Sequence, residues 1–399
     1  MRTFCVATAA YPWLTGTAIN PLLRAAWLGG DTILLLPWIG CPKSQKLIYH
    51  TTYKTHVDQE RVVSAFLKAE APEQKQPEIR WYAATYHPLF GSILPHLGAV
   101  NSATVDVAPD DICIVEEPSK FALSVGDLAF SRFRLVVGIV HTNYKHYAAD
   151  MAGAYAGWAA EVFMRTACTR LCDKVLKLSA AIEGDVHHRQ EVACVNGVRY
   201  TTVVAPPPRG RNAYFIGKLV LSKGFGELFE AWSKCGAGTL TVFGDGPHKQ
   251  KIKNMAKERN VVFGGRLDHA ALPKRFGVLV NASKSEVVCT VTMEALTMGR
   301  VVVCPKHPSN APFAEHPNCI QYDGTVDGLV EAVVAAQTFE PSEDARHMFS
   351  WKNATAEMKS HLTSYPGKRR PVSTLFHTMF QLAAYATIVF VTMLHSLFS

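Results

Sequence analysis

The 399-residue sequence predicts an α/β protein built from two parallel-sheet domains, and three observations predict it. From residue 213 to 304, short apolar runs alternate with helix-length stretches, as strands do when helices cover both faces of a parallel sheet. Several runs end in glycine, lysine, histidine or carboxylate, at the position where open parallel sheets hold their ligands. The stretch 205 to 210, with Pro206, Pro207 and Pro208 in succession, reads as a linker between this series and an earlier one. Domains over 1–205 and 206–365 follow, enclosing a cleft, with a separate segment over 366–399. A balance of 48% hydrophobic and 19% charged residues excludes a disordered chain.

Residues 3 to 10 form the first expected strand. The turn after it contains Gly16 and Thr17 and opens into a helix from about 18 to 28, so backbone N–H groups face outward where a phosphate can sit. The turn does not match the GxGxxG dinucleotide pattern, which argues against a nicotinamide enzyme. A second strand over 31–39, a helix over 58–69 and a polar surface connection over 70–77 come next. Strand 111–115 ends in Glu116, Glu117 and Pro118, and strand 134–140 ends in His141, Thr142, Asn143 and Tyr144. His141 thus stands where a ligand contact is expected, although a loop histidine without a role fits the same place. Residues 150–172 read as one helix, 174–178 as a strand and 195–198 as a turn.

In the second series, strands are expected over 213–217, 239–243, 261–263, 277–281 and 300–304, with helices over 223–234, 247–257, 270–276 and 289–298. The stretch GKLVLSKG sets Gly217 and Lys218 at a strand end and Lys223 and Gly224 at the next helix start. Two ammonium groups beside a helix N-terminus suit a diphosphate; a solvated loop is the bland alternative. Phe243, Gly244, Asp245, Gly246 and Pro247 form a glycine turn, and His307 to Asn310 a loop, both read as architecture. The stretch SKSEVVCTVTMEALTMG then sets Glu286 and Glu294, with seven residues between them, at a loop-to-helix junction. Glu294 lies near the first turns of a mostly apolar helix, where the dipole favours an anion and a buried carboxylate needs a partner. Taken alone it reads first as a capping acid with a core salt bridge.

The net charge of +8 suits nucleic acid, an anionic membrane surface or a phosphorylated substrate. Nucleic acid is set aside because no basic stripe carries interleaved aromatics. Ten cysteines without CxxC pairs or histidine-rich spacing imply reduced thiols. No Asp-x-Asp motif sits at a strand end, so no metal is expected. A strand beginning at residue 3 leaves no room for a cleavable presequence. Residues 371–399 contain no Asp, Glu, Lys or Arg and follow the cluster Lys368, Arg369, Arg370. As a helix this tail would reach roughly 42 Å, against a bilayer core of about 30 Å. A spanning anchor, an in-plane membrane helix and a docked intramolecular helix all remain open for it.

The order of GKxxxxKG, GDGP and the two glutamates before a small apolar helix resembles the donor half of retaining glycosyltransferases of family four, which have the GT-B fold of two Rossmann-like domains. More narrowly, TAAYPWLTGTAINPLLRAAWL, VVGIVHTNY, VNGV, SEVVCTVTMEAL and VVVCPKHPSN resemble the digalactosyldiacylglycerol synthases. These motifs run from about residue 8 to 323 and leave out the tail. Val288 and Cys289 stand where the broader family has an aromatic residue and glycine, and the galactolipid enzymes share that departure.

The resemblance implies that Glu294 binds the ribose hydroxyls of UDP and Glu286 the donor sugar. It implies that Lys223 and Lys218 hold the diphosphate, with Gly217 and Thr290 beside the donor. Gly16 and the amide of Thr17 would approach the phosphates, and His141 would touch the sugar near its 6-hydroxyl. The implied reaction moves galactose from UDP-galactose to monogalactosyldiacylglycerol with retention, the leaving phosphate taking the acceptor proton; no further cofactor is implied. Another UDP-hexose lipid glycosyltransferase, or an inert nucleotide-sugar-binding scaffold at a membrane, is the alternative. A galactolipid acceptor, anionic lipids and the plastid outer envelope are the implied partners and location. Trp13 and Leu14, beside the glycine turn, are expected to face the lipid acceptor.

Overall fold

The computed structural model describes residues 1–88, 91–123, 129–205, 208–284 and 286–363. The expected apolar tail over 371–399, the basic cluster before it, and Pro206 and Pro207 lie outside the described residues. By contacts the chain forms two units: one of residues 1–178, 182–195 and 355 onward, and a second of 179–181 and 196–354.

In the first unit, the charge-free run Thr3–Val6 forms β1 and is buried from its second residue onward, as a strand covered on both faces must be. Helix α1 (Gly16–Leu28) follows, then β2 (Thr32–Ile39), α2 (Pro42–Tyr49) and α3 (His56–Glu70). A reciprocal capping box of Thr55 and Asp58 starts α3. Strand β3 (Glu78–His87) runs parallel to β2, and β4 (Ser92–Pro95) turns back antiparallel on its edge. After α4 (Ala99–Ala103) come β5 (Ile112–Glu116) and β6 (Leu135–Val140), both wholly buried. The expected single helix over 150–172 is instead two, α5 (Tyr144–Ala152) and α6 (Ala154–Leu171). Gly153 at φ 84° breaks it, a conformation open to glycine and closed to a continuing helix. Strands β7 (Lys174–Lys177) and β8 (Gln190–Val192) complete a sheet of order β4-β3-β2-β1-β5-β6-β7-β8.

The second unit opens with α7 (Tyr200–Val203) and β9 (Asn212–Ile216). Helix α8 (Phe225–Cys235), β10 (Leu240–Phe243), α9 (Lys249–Met255) and β11 (Val261–Gly265) follow. The helix expected over 270–276 is absent: a single tight turn over His269–Ala271 leads straight into β12 (Phe276–Val280). Pro273 explains this, since it disfavours the helical region for the residue before it. Helix α10 (Thr290–Thr297), β13 (Val301–Pro305), β14 (Cys319–Tyr322) and α11 (Val326–Thr338) complete the winding. The six strands lie in the order β11-β10-β9-β12-β13-β14, all parallel, with the order reversing between β9 and β12. Phe225, Leu228, Phe229 and Trp232 of α8 pack on Phe215, Val242, Val280 and Val303 of this sheet.

Segment 196–198 belongs to the second unit because Val198 N donates to Phe349 O at 3.0 Å, and Gly197 lies against the Trp351 backbone. Among the described residues the last helix, α12 (Trp351–Thr363), begins in the second unit and ends in the first. There His361 Nδ1 lies 2.9 Å from Lys174 Nζ and 3.0 Å from Glu191.

Two constraints hold the segments that matter later. Gly224, at φ 75°, turns the chain into α8 so close to Ala282 that a Cβ would overlap that residue's carbonyl oxygen. In the first unit, Arg24 of α1 is 1% exposed and lies 2.9 Å from Glu116 Oε1 and 2.6 Å from Val195 O, while Glu116 is 0% exposed. Burial would raise the Glu116 pKa, but the charges of Arg24 and His141 override it and hold it at about 2.

Gly224→Ala is expected to cost roughly 1–3 kcal/mol through overlap and backbone strain, read as a lower urea midpoint for the second unit. Arg24→Met is expected to cost the first unit about 3–5 kcal/mol at neutral pH, because it strands a buried carboxylate. A depressed carboxyl pKa contributes stability that is complete above its ordinary value of 4.5 and lost as pH falls towards about 2. The gap between wild type and Arg24→Met should therefore narrow across that window in acid-titrated denaturation.

Candidate functional site

In the second unit, the loops that follow β9 and β12 leave neighbouring strands where the sheet order reverses, which opens a crevice at the strands' carboxyl ends. The first of these loops is braced from behind. Gly217 N donates to Phe243 O at 3.1 Å and Leu219 N to Asp245 O at 2.9 Å. Gly244 and Gly246 press so closely on the backbones of Gly217 and Leu219 that side chains there would collide. The GDGP turn is thus a backing for the lysine loop, as its glycines suggest.

Lys218 is exposed and has no ion-pair partner among the described residues. Lys223, in the short turn Leu221–Lys223, forms an ion pair with Glu286. The two side chains are 19% and 21% exposed, so the pair is neither freely solvated nor sealed. Burial pushes the Lys223 pKa down and the Lys218 charge adds to this, so the ammonium depends on nearby anions.

Glu294 lies in the second turn of α10 and is 7% exposed. Its Oε2 accepts from His269 Nδ1 at 3.0 Å and its Oε1 from Arg199 Nε at 3.4 Å. His269 Nε2 is in turn 2.9 Å from the Tyr214 hydroxyl. Arg199 also grips Asp268, at 2.7 and 3.2 Å, and holds that carboxyl below the usual range. The carboxylate accepts from Nδ1, so a neutral His269 takes the Tyr214 O–H at Nε2. The long Arg199 contact leaves Oε1 with acceptor capacity. Thr290, exposed at the first position of α10, has no side-chain cap before it, and its amide lies beyond the intrahelical bonds. Among the described residues no group of three or more His, Cys, Asp or Glu side chains could hold a metal ion.

The structure therefore brings Lys223 and Glu286 together and gives Glu286 and Glu294 separate partners. Arg199, Asp268, His269 and Tyr214 escaped the sequence reading. The demand that a buried Glu294 have a partner was legible; which cation met it was not, since Arg199 lies 95 positions away.

In the first unit, Gly16 and Thr17 form the first turn of α1. The bonds from Ala18 N and Ile19 N to Thr15 O are the first of the helix, so the amides of Gly16 and Thr17 precede them. A Cβ on Gly16 would meet nothing nearer than Asn20 Nδ2 at 3.5 Å, so internal packing does not demand glycine there. His141 follows β6, and its Nε2 pairs with Glu116 Oε2. Its backbone N–H donates to Glu117 Oε1 at 2.9 Å, and Thr142 Oγ1 donates to the same oxygen at 2.7 Å. Trp13 packs edge-on against Tyr86 with ring centres 5.9 Å apart, and Leu14 beside it is 77% exposed.

Comparison with known proteins accounts for both units. Residues 210–337 match the family model described as glycosyl transferases group 1. A chloroplastic digalactosyldiacylglycerol synthase 2 of Arabidopsis thaliana is 35% identical over 379 residues, covering 87% of this chain and 78% of that protein. Digalactosyldiacylglycerol synthase 1 of the same plant is 35% identical over 381 residues, and this chain spans less than half of it, 46%. Anabaena HepE, solved in complex with UDP, superposes with a TM-score of 0.57 over 92% of this chain and 100% of its own, at 15% identity. That likeness shows an α/β GT-B fold. The chain belongs to the digalactosyldiacylglycerol synthase family of glycosyltransferases.

Proposed function

We propose that this chain transfers galactose from UDP-galactose to monogalactosyldiacylglycerol, giving digalactosyldiacylglycerol with retention at the anomeric carbon. The observation that carries the reading is the half-buried Lys223–Glu286 pair, with Glu294 on the helix that follows, at the order reversal of the second sheet in a chain of this family. Glu294, oriented by His269, takes the ribose hydroxyls at its open oxygen. Lys223 and Lys218 meet the diphosphate, and the backbone of Gly217 and the amide of Thr290 lie beside the donor. A diphosphate at Lys223 shares that ammonium with Glu286, whose carboxylate then accepts from hydroxyls of the sugar. Within the first unit, His141 and the first-turn amides of α1, Gly16 and Thr17, are the candidate donor contacts.

The acceptor 6-hydroxyl oxygen bonds to the anomeric carbon on the face that UDP leaves. The bond from that carbon to the β-phosphate oxygen breaks, and the hydroxyl proton passes to the departing phosphate. Negative charge grows on that phosphate, so each well-aimed cation or N–H lowers the barrier, by about 3–4 kcal/mol for one good donor. No cofactor beyond the donor is part of this proposal.

Relatives named chloroplastic support a plastid location. The outer envelope, anionic lipids and attachment through the segment after residue 363 are the finer part of the same proposal. Among the described residues no helix is long and apolar enough to cross a membrane, and nucleic acid is not a proposed partner.

Purified protein given labelled UDP-galactose and monogalactosyldiacylglycerol in mixed micelles should form the digalactosyl lipid; product from UDP-glucose instead would assign a different hexosyltransferase, and none from either donor would leave an inert binder. Lys223→Ala should lower kcat on the order of 10²–10³-fold. Glu294→Gln should raise KM for the donor about 10- to 100-fold, the worth of a charged hydrogen bond, in a protein that still folds. Unfolding by Glu294→Gln would instead make that residue a purely structural acid.

A further inference from the structure

Strand β5 ends at Glu116, and the next residue, Glu117, is a second carboxylate; both are 0% exposed. Adjacent residues of a strand point to opposite faces, so two neighbours cannot ordinarily serve one segment. Here they do. Glu116 pairs with the His141 ring, and Glu117 accepts from the His141 amide and the Thr142 hydroxyl. Glu117 achieves this by leaving the extended conformation for φ 51°, an uncommon choice for a residue with a side chain. Lys120 faces the Glu117 charge, and burial presses its pKa down against that attraction. On the far side, Arg24 engages the second oxygen of Glu116 and is itself tied to Val195 O.

We infer that Glu116 is a positioning residue for His141: with Arg24 behind it, it fixes the imidazole's orientation and keeps the ring hydrogen on Nε2, so that Nδ1 is the nitrogen offered to substrate. The inference rests on the proposed contact between His141 and the donor sugar. A carboxylate held ionised by a buried arginine accepts a hydrogen and does not give one, which assigns Nε2 as the donor in this pair. Among the described residues Nδ1 has no hydrogen-bond partner. A neutral His141 can therefore accept from a sugar hydroxyl there, and its protonated form can donate. Glu117 holds the backbone that carries the ring, so the segment is gripped at the ring, the amide and the next hydroxyl.

The test is a double-mutant cycle on the full chain, comparing wild type, Glu116→Gln, His141→Gln and the double variant for galactosyl transfer and for UDP affinity. Each single variant should lower kcat roughly 10- to 100-fold, with the double variant no worse than His141→Gln alone and UDP affinity unaltered. A second reading needs no turnover: with 15N-histidine labelling, the His141 signal, identified by its loss in His141→Gln, should carry its hydrogen on Nε2 and change in Glu116→Gln. Equal losses from Glu116→Gln in both backgrounds, an unaltered kcat in that variant, or an unaltered His141 signal would overturn the inference. If His141→Gln leaves transfer intact while the His141 signal responds to Glu116→Gln, the pairing stands and the substrate contact assigned to His141 falls. Should Glu116→Gln fail to fold, Arg24→Met with Glu116→Gln, which removes both buried charges, takes its place in the same cycle.

Discussion

A carboxylate taken out of water must be met by a cation or give up its charge, and this requirement organises both units. Glu116 is answered by Arg24 and His141, Glu294 by Arg199 and His269, and Glu286 by Lys223. Each answer comes from far along the chain, so each ties a strand end or helix to another element. The charges at the candidate site are thus also the fixings of the loops that carry them. Removing one is costly to the fold in proportion to how deeply it lies: least for the half-open Lys223–Glu286 pair, most for the sealed Arg24–Glu116 pair.

The two sheets solve the same problem with one winding. In the second, β9 and β12 flank the reversal; in the first, β1 and β5 do. In each case the strand that begins the winding leads through a glycine-bearing loop into a helix, at Gly16 in one unit and Gly224 in the other. The strand across the reversal leads to glutamates, Glu116 and Glu117 in one and Glu286 in the other. Parallel strands bring amide donors and acids to the same edge of a sheet because all of their carboxyl ends lie there.

Much of this was legible in the residues. The alternation of apolar runs over 213–304 located five of the second sheet's six strands, because the central ones, β9, β12 and β13, are buried almost throughout and so show runs with few polar residues; the half-buried edge strand β14 was not seen. Motif spacing placed Lys223, Glu286 and Glu294 on the loops and helix where they stand. Strand β3 was not seen, since its half-exposed mixture of Arg80, Trp81, Tyr82 and Thr85 has no clean period, and the antiparallel β4 on its edge went with it. The break at Gly153 was hidden by good helix formers on both sides. Arg24, Arg199 and His269 were invisible for a different reason: their roles depend on three-dimensional proximity across tens of residues, which spacing does not encode.

The path of the chain through α12 bears on how the protein can be divided. The second unit is an insertion: the chain leaves the first at the end of β8 and comes back to it at Thr355, where His361 contacts both Lys174 and Glu191. A fragment stopped at the proline-rich stretch near 206 would keep every strand of the first sheet yet leave that lysine and glutamate without the imidazole between them. The first unit is thus closed by residues that follow the whole of the second, and its final packing waits until the chain has passed beyond them.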